Sequence, residues 1–141
     1  MPRTSLAALL VLGLASPASA GDEHKPKKPG LELRAAPRFA FSPANVFFTA
    51  ELVGGDDVEE FYCPEIEWEW GDGGKTVHEG DCEPLEQGGT IERRFTAEHE
   101  YKRAGNYFVK VTLRRAGRSL VSQTVRVTVR PGLGDRTIEP N

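Results

Sequence analysis

Three glutamates at alternate positions, Glu65, Glu67 and Glu69, are the first residues in this chain whose type and spacing suggest chemistry. Glycoside hydrolysis needs two carboxyls about 5 to 10 Å apart, and alternate strand residues sit on one face about 7 Å apart. A second acidic group, Asp56, Asp57, Glu59 and Glu60, follows Gly54-Gly55 and offers oxygen ligands to Ca²⁺, although its spacing is not that of an EF-hand loop. His24, His78 and His99 are too scattered to define a zinc site, which wants four fixed ligands. Cys63 and Cys82 lack both the Cys-x-x-Cys spacing of a redox pair and the ligand count of a metal centre, so one disulfide is the expectation. The sequence holds no Gly-x-Ser-x-Gly elbow, no phosphate loop and no His-Glu-x-x-His pair. It therefore reads as non-catalytic and without a cofactor, calcium at the Asp56 to Glu60 group being the one candidate.

The elements that must position these residues belong to one small domain. The chain has 141 residues, with 18 Lys and Arg against 21 Asp and Glu, a net charge of -3. That length excludes a large multidomain enzyme, and the charge excludes a general nucleic-acid binder, which needs a basic footprint. The 7 Phe, 3 Tyr and 2 Trp residues all fall between Phe39 and Phe108, so the core is centred there. Residues 1–20 combine Arg3, an apolar run from Leu6 to Ala15 and the small-residue end Ala18-Ser19-Ala20, the pattern of a signal peptide cut before Gly21. The apolar run is about half the roughly 20 residues a membrane anchor needs. Residues 21–30, with Pro26, Pro29 and many charges, read as a flexible linker, and residues 131–141 as a flexible tail. The folded unit expected is residues 31–130. Export to the periplasm or the exterior is the expected fate, and an oxidising compartment lets the two cysteines pair.

Within 31–130 the apolar residues repeat every second position, and no stretch shows helical spacing over three turns. Leu31, Leu33 and Ala35 form one inward set; Val46, Phe48, Ala50 and Leu52 a second; Ile66, Trp68 and Trp70 a third. Thr90 to Thr96 is a weaker strand pattern, with Ile91 and Phe95 sharing a face with Arg93. Tyr107, Val109, Val111 and Leu113 precede a turn at Ala116-Gly117, and Val121, Val125, Val127 and Val129 follow it. About seven short strands in about 100 residues predict an all-β, immunoglobulin-like antiparallel sandwich of two sheets, with a closed barrel as the alternative architecture. In such a sandwich the strand carrying Glu65, Glu67 and Glu69 neighbours the one whose outer residues are Lys110, Thr112 and Arg114. The glutamates are then expected to pair across the sheet surface, which needs no catalysis.

Gly71-Asp72-Gly73-Gly74 is a turn with Asp-Gly at its centre. Centring the turn between Asp72 and Gly73 predicts a hairpin in which Trp70 faces Lys75, Trp68 faces Val77, and Glu67 faces His78. The same register sets Cys63 opposite Cys82, within disulfide reach. The bridge is expected on the outer face or beyond the strand end.

Two segments carry a resemblance. Trp68-Glu69-Trp70-Gly71-Asp72-Gly73, and later His99-Glu100-Tyr101 followed by Gly105-Asn106-Tyr107-Phe108-Val109, resemble the W-x-F-G-D-G and H-x-Y-x-x-x-G-x-Y-x-V signatures of the PKD (polycystic kidney disease) domain. Trp70 stands where that family often has Phe. The resemblance implies an immunoglobulin-like sandwich in which Trp68, Trp70, Gly71, Asp72, Gly73, His99, Tyr101, Gly105 and Tyr107 are fold determinants. Asp72 is expected to accept backbone N–H bonds in its turn, a role its chemistry also predicts. Tyr107 is similar to a corner tyrosine whose hydroxyl reaches back to the backbone, and Gly105 is expected to supply an unusual backbone angle before it.

The resemblance implies a non-catalytic extracellular module. The expectation is a secreted or periplasmic domain contacting a protein or polysaccharide of the cell envelope, without nucleic acid and without membrane insertion after leader removal. A spacer or accessory subunit for a secreted enzyme or surface assembly is the alternative. Phe47 and Phe108 fall on outward faces of their strands and are the candidate contact surface.

Overall fold

A computed structural model describes residue 21 and residues 24–134. The predicted leader, residues 1–20, lies outside the described residues, as do residues 135–141 of the expected tail. Eight strands follow in order: β1 (Gly30–Ala36), β2 (Phe39–Phe41), β3 (Ala44–Val53), β4 (Glu65–Glu69), β5 (Lys75–His78), β6 (Arg94–Tyr101), β7 (Gly105–Arg115) and β8 (Arg118–Arg130). They form a three-stranded sheet, β1-β3-β6, and a five-stranded sheet, β2-β8-β7-β4-β5. The protein is thus an open two-sheet sandwich of the immunoglobulin-like kind and not a closed barrel.

The period-two reading explains how the sheets meet. Val46, Phe48, Ala50 and Leu52 of β3 are buried, as are Trp68 of β4, Val109, Val111 and Leu113 of β7, and Val125, Val127 and Val129 of β8. Each sheet presents one apolar face, and pressing the two together removes both from water. The weak Thr90 to Thr96 pattern becomes β6, which begins at Arg94 and runs on to Tyr101. Phe95 and Tyr101 point into the core from it, and Ile91 is buried just before it. The predicted turn at Ala116-Gly117 is present, both residues adopting the left-handed backbone that a two-residue hairpin loop requires (φ 49° and 74°).

The structure departs from the pattern in three places. First, β2 was not legible: three residues between Pro37 and Pro43 pair in parallel with the end of β8, so one neighbour pair in the sandwich is not antiparallel. Only Ala40 of this strand turns toward the core. Second, the β4–β5 register is one residue off the expected one. Trp68 faces Thr76, Glu67 faces Val77, and Ile66 faces His78. The loop holds three residues, Gly71, Asp72 and Gly73, closed by the Trp70 N–H donating to the Gly74 carbonyl at 3.0 Å. Positive φ at both Gly71 and Gly73 allows this (79° and 93°). The slip turns the Val77 side chain outward, 43% exposed, and turns Thr76 inward, where its hydroxyl accepts the Trp70 indole N–H at 2.9 Å. A buried indole donor needs a partner, and Thr76 supplies one where Val77 could not.

Third, residues 24–29 carry no regular structure but are tied to the domain. Lys27 and Asp56 exchange bonds, the Lys27 N–H to the Asp56 carboxylate (2.8 Å) and the Asp56 N–H to the Lys27 carbonyl (2.8 Å). Lys28 adds an ion pair with Glu60 at 2.6 Å, so Lys27 and Lys28 of the expected linker are held against the domain.

Cys63 and Cys82 form the disulfide, with Cα atoms 6.1 Å apart. They lie beyond the paired ends of β4 and β5, and Cys63 has left the strand path with φ 49°. The pairing expected from the hairpin register is therefore present although the register itself is shifted. The bridge closes the loop over a separation of 19 residues, which in the chain-entropy account contributes about 3 kcal/mol. Reducing it should lower the thermal midpoint by roughly 12 to 24 °C, measured by circular dichroism with and without reductant. An unchanged midpoint would show that the bridge carries no stability.

Candidate functional site

The signature residues converge at one end of the sandwich. Alternate inward positions, Trp68 on β4 and Trp70 just past its end, stack the two indoles, ring centroids 5.4 Å apart and planes 3° from parallel. β6 brings His99 over the other side of Trp70, stacked at 4.4 Å, and Tyr101 edge-on to His99 at 4.7 Å. Tyr107 of β7 stacks on Tyr101 at 4.2 Å, and Phe48 of β3 tilts against both tryptophans. The stack thus interleaves the two sheets: the tryptophan pair meets His99 and Tyr101 of β6, which in turn meet Tyr107 of β7.

Polar bonds set the geometry of this stack. Asp72 accepts the Gly74 N–H at 2.8 Å, shaping the turn, and its other carboxylate oxygen lies 2.7 Å from Nε2 of His99. The Tyr101 hydroxyl, buried, donates to the Trp70 carbonyl at 2.9 Å, and the Tyr107 hydroxyl donates to the Arg103 carbonyl at 2.6 Å. Burial works to raise the Asp72 carboxyl, but the bonds from His99 and the Gly74 N–H outweigh it and hold the group below its ordinary value. Burial, with the Asp72 charge and Tyr107 nearby, pushes the Tyr101 phenol well up, so it stays a donor. Two glycines matter by close approach. A Cβ on Gly71 would meet the Phe108 backbone at 2.8 Å. Gly105 has no positive φ, contrary to expectation; a Cβ there would instead crowd the Tyr107 ring at 3.2 to 3.4 Å.

The carboxylates that suggested chemistry are otherwise engaged. Glu65 pairs with Arg114 (3.7 Å), Glu67 with Lys75 (2.9 Å) and Glu69 with Lys110 (3.4 Å). The β4–β7 register sets Glu65 opposite Arg114 and Glu69 opposite Lys110, as the alternation predicts. Glu67 takes Lys75 in place of the expected His78, a consequence of the register slip. The Lys75 bond holds the Glu67 carboxyl below its ordinary value, the opposite of what a general acid needs. In the Asp56 to Glu60 group, Asp56 meets Lys27 and His24, Asp57 meets Arg93 (2.8 Å), and Glu60 meets Lys28. Asp56 is met by the backbone N–H of Lys27 and not by its ammonium, so the three carboxylates face different partners, and no group of three or more acidic, His or Cys ligands converges among the described residues. The three histidines stay apart, His24 beside Asp56 and His99 beside Asp72.

Phe47 and Phe108 do not share a surface. Phe47 is 48% exposed on the outer face of the three-stranded sheet, between Ala36 and Glu98 in register. Phe108, 61% exposed, lies on the outer face of the five-stranded sheet, opposite Arg126. That second face also carries Phe39 and Phe41 of β2, 70% and 69% exposed, which the sequence reading missed. The alternation Phe39-Ala40-Phe41 was the available signal, but three residues between prolines are too few to declare a face.

Fold and signature together define an immunoglobulin-like sandwich whose motif residues are absorbed by its own packing. Residues 30–129 match the PKD domain family, and the chain belongs to that family. No curated protein matches the chain in sequence. PKD domains are generally non-catalytic modules, in keeping with the paired carboxylates of β4.

Asp72→Ala should cost about 1 to 2 kcal/mol at neutral pH by removing the turn bond and the His99 contact. Because the folded Asp72 carboxyl is depressed, its contribution is complete above the unfolded value and fades as pH falls through the folded one. Urea unfolding should therefore separate wild type and variant at pH 7 and bring them together in strong acid. A constant gap across pH would contradict an ionised Asp72 as the source. Tyr101→Phe should separately lower stability by about 1 to 2 kcal/mol, read from the same curves, since it strips the Trp70 carbonyl of a buried donor.

Proposed function

We propose that this chain is an exported, non-catalytic binding module that contacts another macromolecule, a protein or a polysaccharide, at the cell envelope. The leader pattern of residues 1–20, with Ala18-Ser19-Ala20 before Gly21, supports export, as does the Cys63–Cys82 disulfide. Among the described residues no helix is long and apolar enough to cross a membrane. Membership of the PKD family supports a module without chemistry of its own.

One observation carries the binding part. The signature residues are consumed by the fold, whereas Phe39, Phe41 and Phe108 stay well exposed on one sheet face and make no ring contact with the core. Clustered exposed rings are uncommon on a face with no partner. A spacer would have no use for them, which favours binding over a purely structural role.

The test is capture from envelope extract, together with a glycan array, using the purified mature protein and a Phe39→Ser, Phe41→Ser, Phe108→Ser variant. The expected outcome is a ligand retained by the wild type and lost by a variant of unchanged thermal midpoint. A ligand retained equally by both would move the contact elsewhere, and no ligand at all would favour the spacer.

A further inference from the structure

The outer face of the five-stranded sheet is divided in charge. On the β4–β5 half, each glutamate is met by a lysine or arginine. On the β2–β8 half, strand pairing sets Phe39 beside Thr128, Phe41 beside Arg130 and Phe108 beside Arg126. Arg38, Arg126 and Arg130 have no side-chain partner among the described residues. Arg38 and Arg126 also line a shallow depression at the seam between β1 and β8, together with Arg34 and Gln123. Its only acidic residue, Glu32, is already bonded to Arg34 at 2.8 Å. A chain of net charge -3 thus carries a local cationic surface beside three exposed rings.

Spacing narrows the occupant. Phe39 and Phe41 are about 7 Å apart along β2, and Phe108 lies two strands away and two to four residues along, about 12 Å from Phe39 and about 17 Å from Phe41 between backbone positions. Between the rings stand guanidinium groups and the Asn106–Thr128 pair, bonded at 3.0 Å. A protein interface seats its aromatic and Arg residues around a contiguous, well-packed apolar core; here Asn106, Thr128 and the guanidinium groups stand between the rings, with no apolar core among them. A sugar ring has an apolar C–H face that lies flat on an aromatic ring, and hydroxyl edges that accept hydrogen bonds. Its carboxylate, where it has one, matches the guanidinium fork.

We propose that this face binds an acidic polysaccharide whose sugar rings carry carboxylates. The sugars lie over Phe39, Phe41 and Phe108, and the carboxylates meet Arg38, Arg126 and Arg130. The inference rests on the binding-module reading above and adds the chemistry and place of the ligand.

The test is affinity electrophoresis of the purified protein in gels containing polygalacturonate, neutral dextran or polyglutamate. Retardation by polygalacturonate alone, weakening as salt is raised, is expected. Arg38→Gln with Arg126→Gln should reduce affinity roughly tenfold or more, and Phe39→Ser with Phe41→Ser by a similar factor. Phe47→Ser, on the opposite face, should leave it unchanged, and circular dichroism should show all variants folded. Equal retardation by polyglutamate, or loss with the arginines but not the rings, would reduce the face to a charge patch and overturn the proposal. No retardation by polygalacturonate would overturn it as well. If a protein or neutral glycan is then captured by this same face, the binding-module reading survives; if nothing is captured, that reading falls too.

Discussion

The indole of Trp70 is the point on which the sandwich turns. It is held on both faces, by Trp68 and by His99, its N–H is taken by Thr76, its backbone carbonyl by Tyr101, and its backbone N–H by Gly74. Those partners come from its own strand, from the hairpin that follows, and from β6 in the opposite sheet. Apolar contact alone is non-directional and would tolerate the two sheets sliding past each other. Fixed donors and acceptors at a buried aromatic admit one arrangement, because any shift leaves a polar group unpaired at a cost of about 1 to 3 kcal/mol.

The same constraint explains the hairpin. A two-residue Asp-Gly turn is the simplest reading of the sequence, and it sets Val77, the more apolar residue, opposite Trp68. The structure prefers a three-residue loop because that loop frees the Asp72 carboxylate to bond Gly74 and His99 together, and because it brings a hydroxyl to the Trp70 indole. Exposing one valine is a small loss beside an unsatisfied buried donor. The cysteines tolerate the slip because they lie outside the ladder, where Cys63 has already left the strand path.

Most of the sandwich was legible in the alternation of β1, β3, β4, β7 and β8, since a strand with one buried face must repeat every second residue. The charge pairs of Glu65 and Glu69 followed from neighbouring strands. What stayed hidden depended on contacts distant in sequence. β2 is too short to show a period and exists because β8 offers it an edge. The role of Gly105 was misread because the crowding comes from a ring two residues on, and not from its own φ. The rings of Phe39 and Phe41 could not be grouped with Phe108 until the order of strands in the sheet was known. The motif residues that name the family are used up in holding it together; Phe39 and Phe41 lie outside the motif, and Phe108 fills one of its unspecified positions.

A double-mutant cycle on Asp72 and His99 tests the central claim most directly, namely that a directional contact between the β4–β5 turn and the opposite sheet locks the sandwich. Asp72→Ala, His99→Ala and the double variant would be unfolded in urea at neutral pH. The account predicts a coupling of at least about 1 kcal/mol between the two sites, whereas additivity within about 0.3 kcal/mol would contradict it.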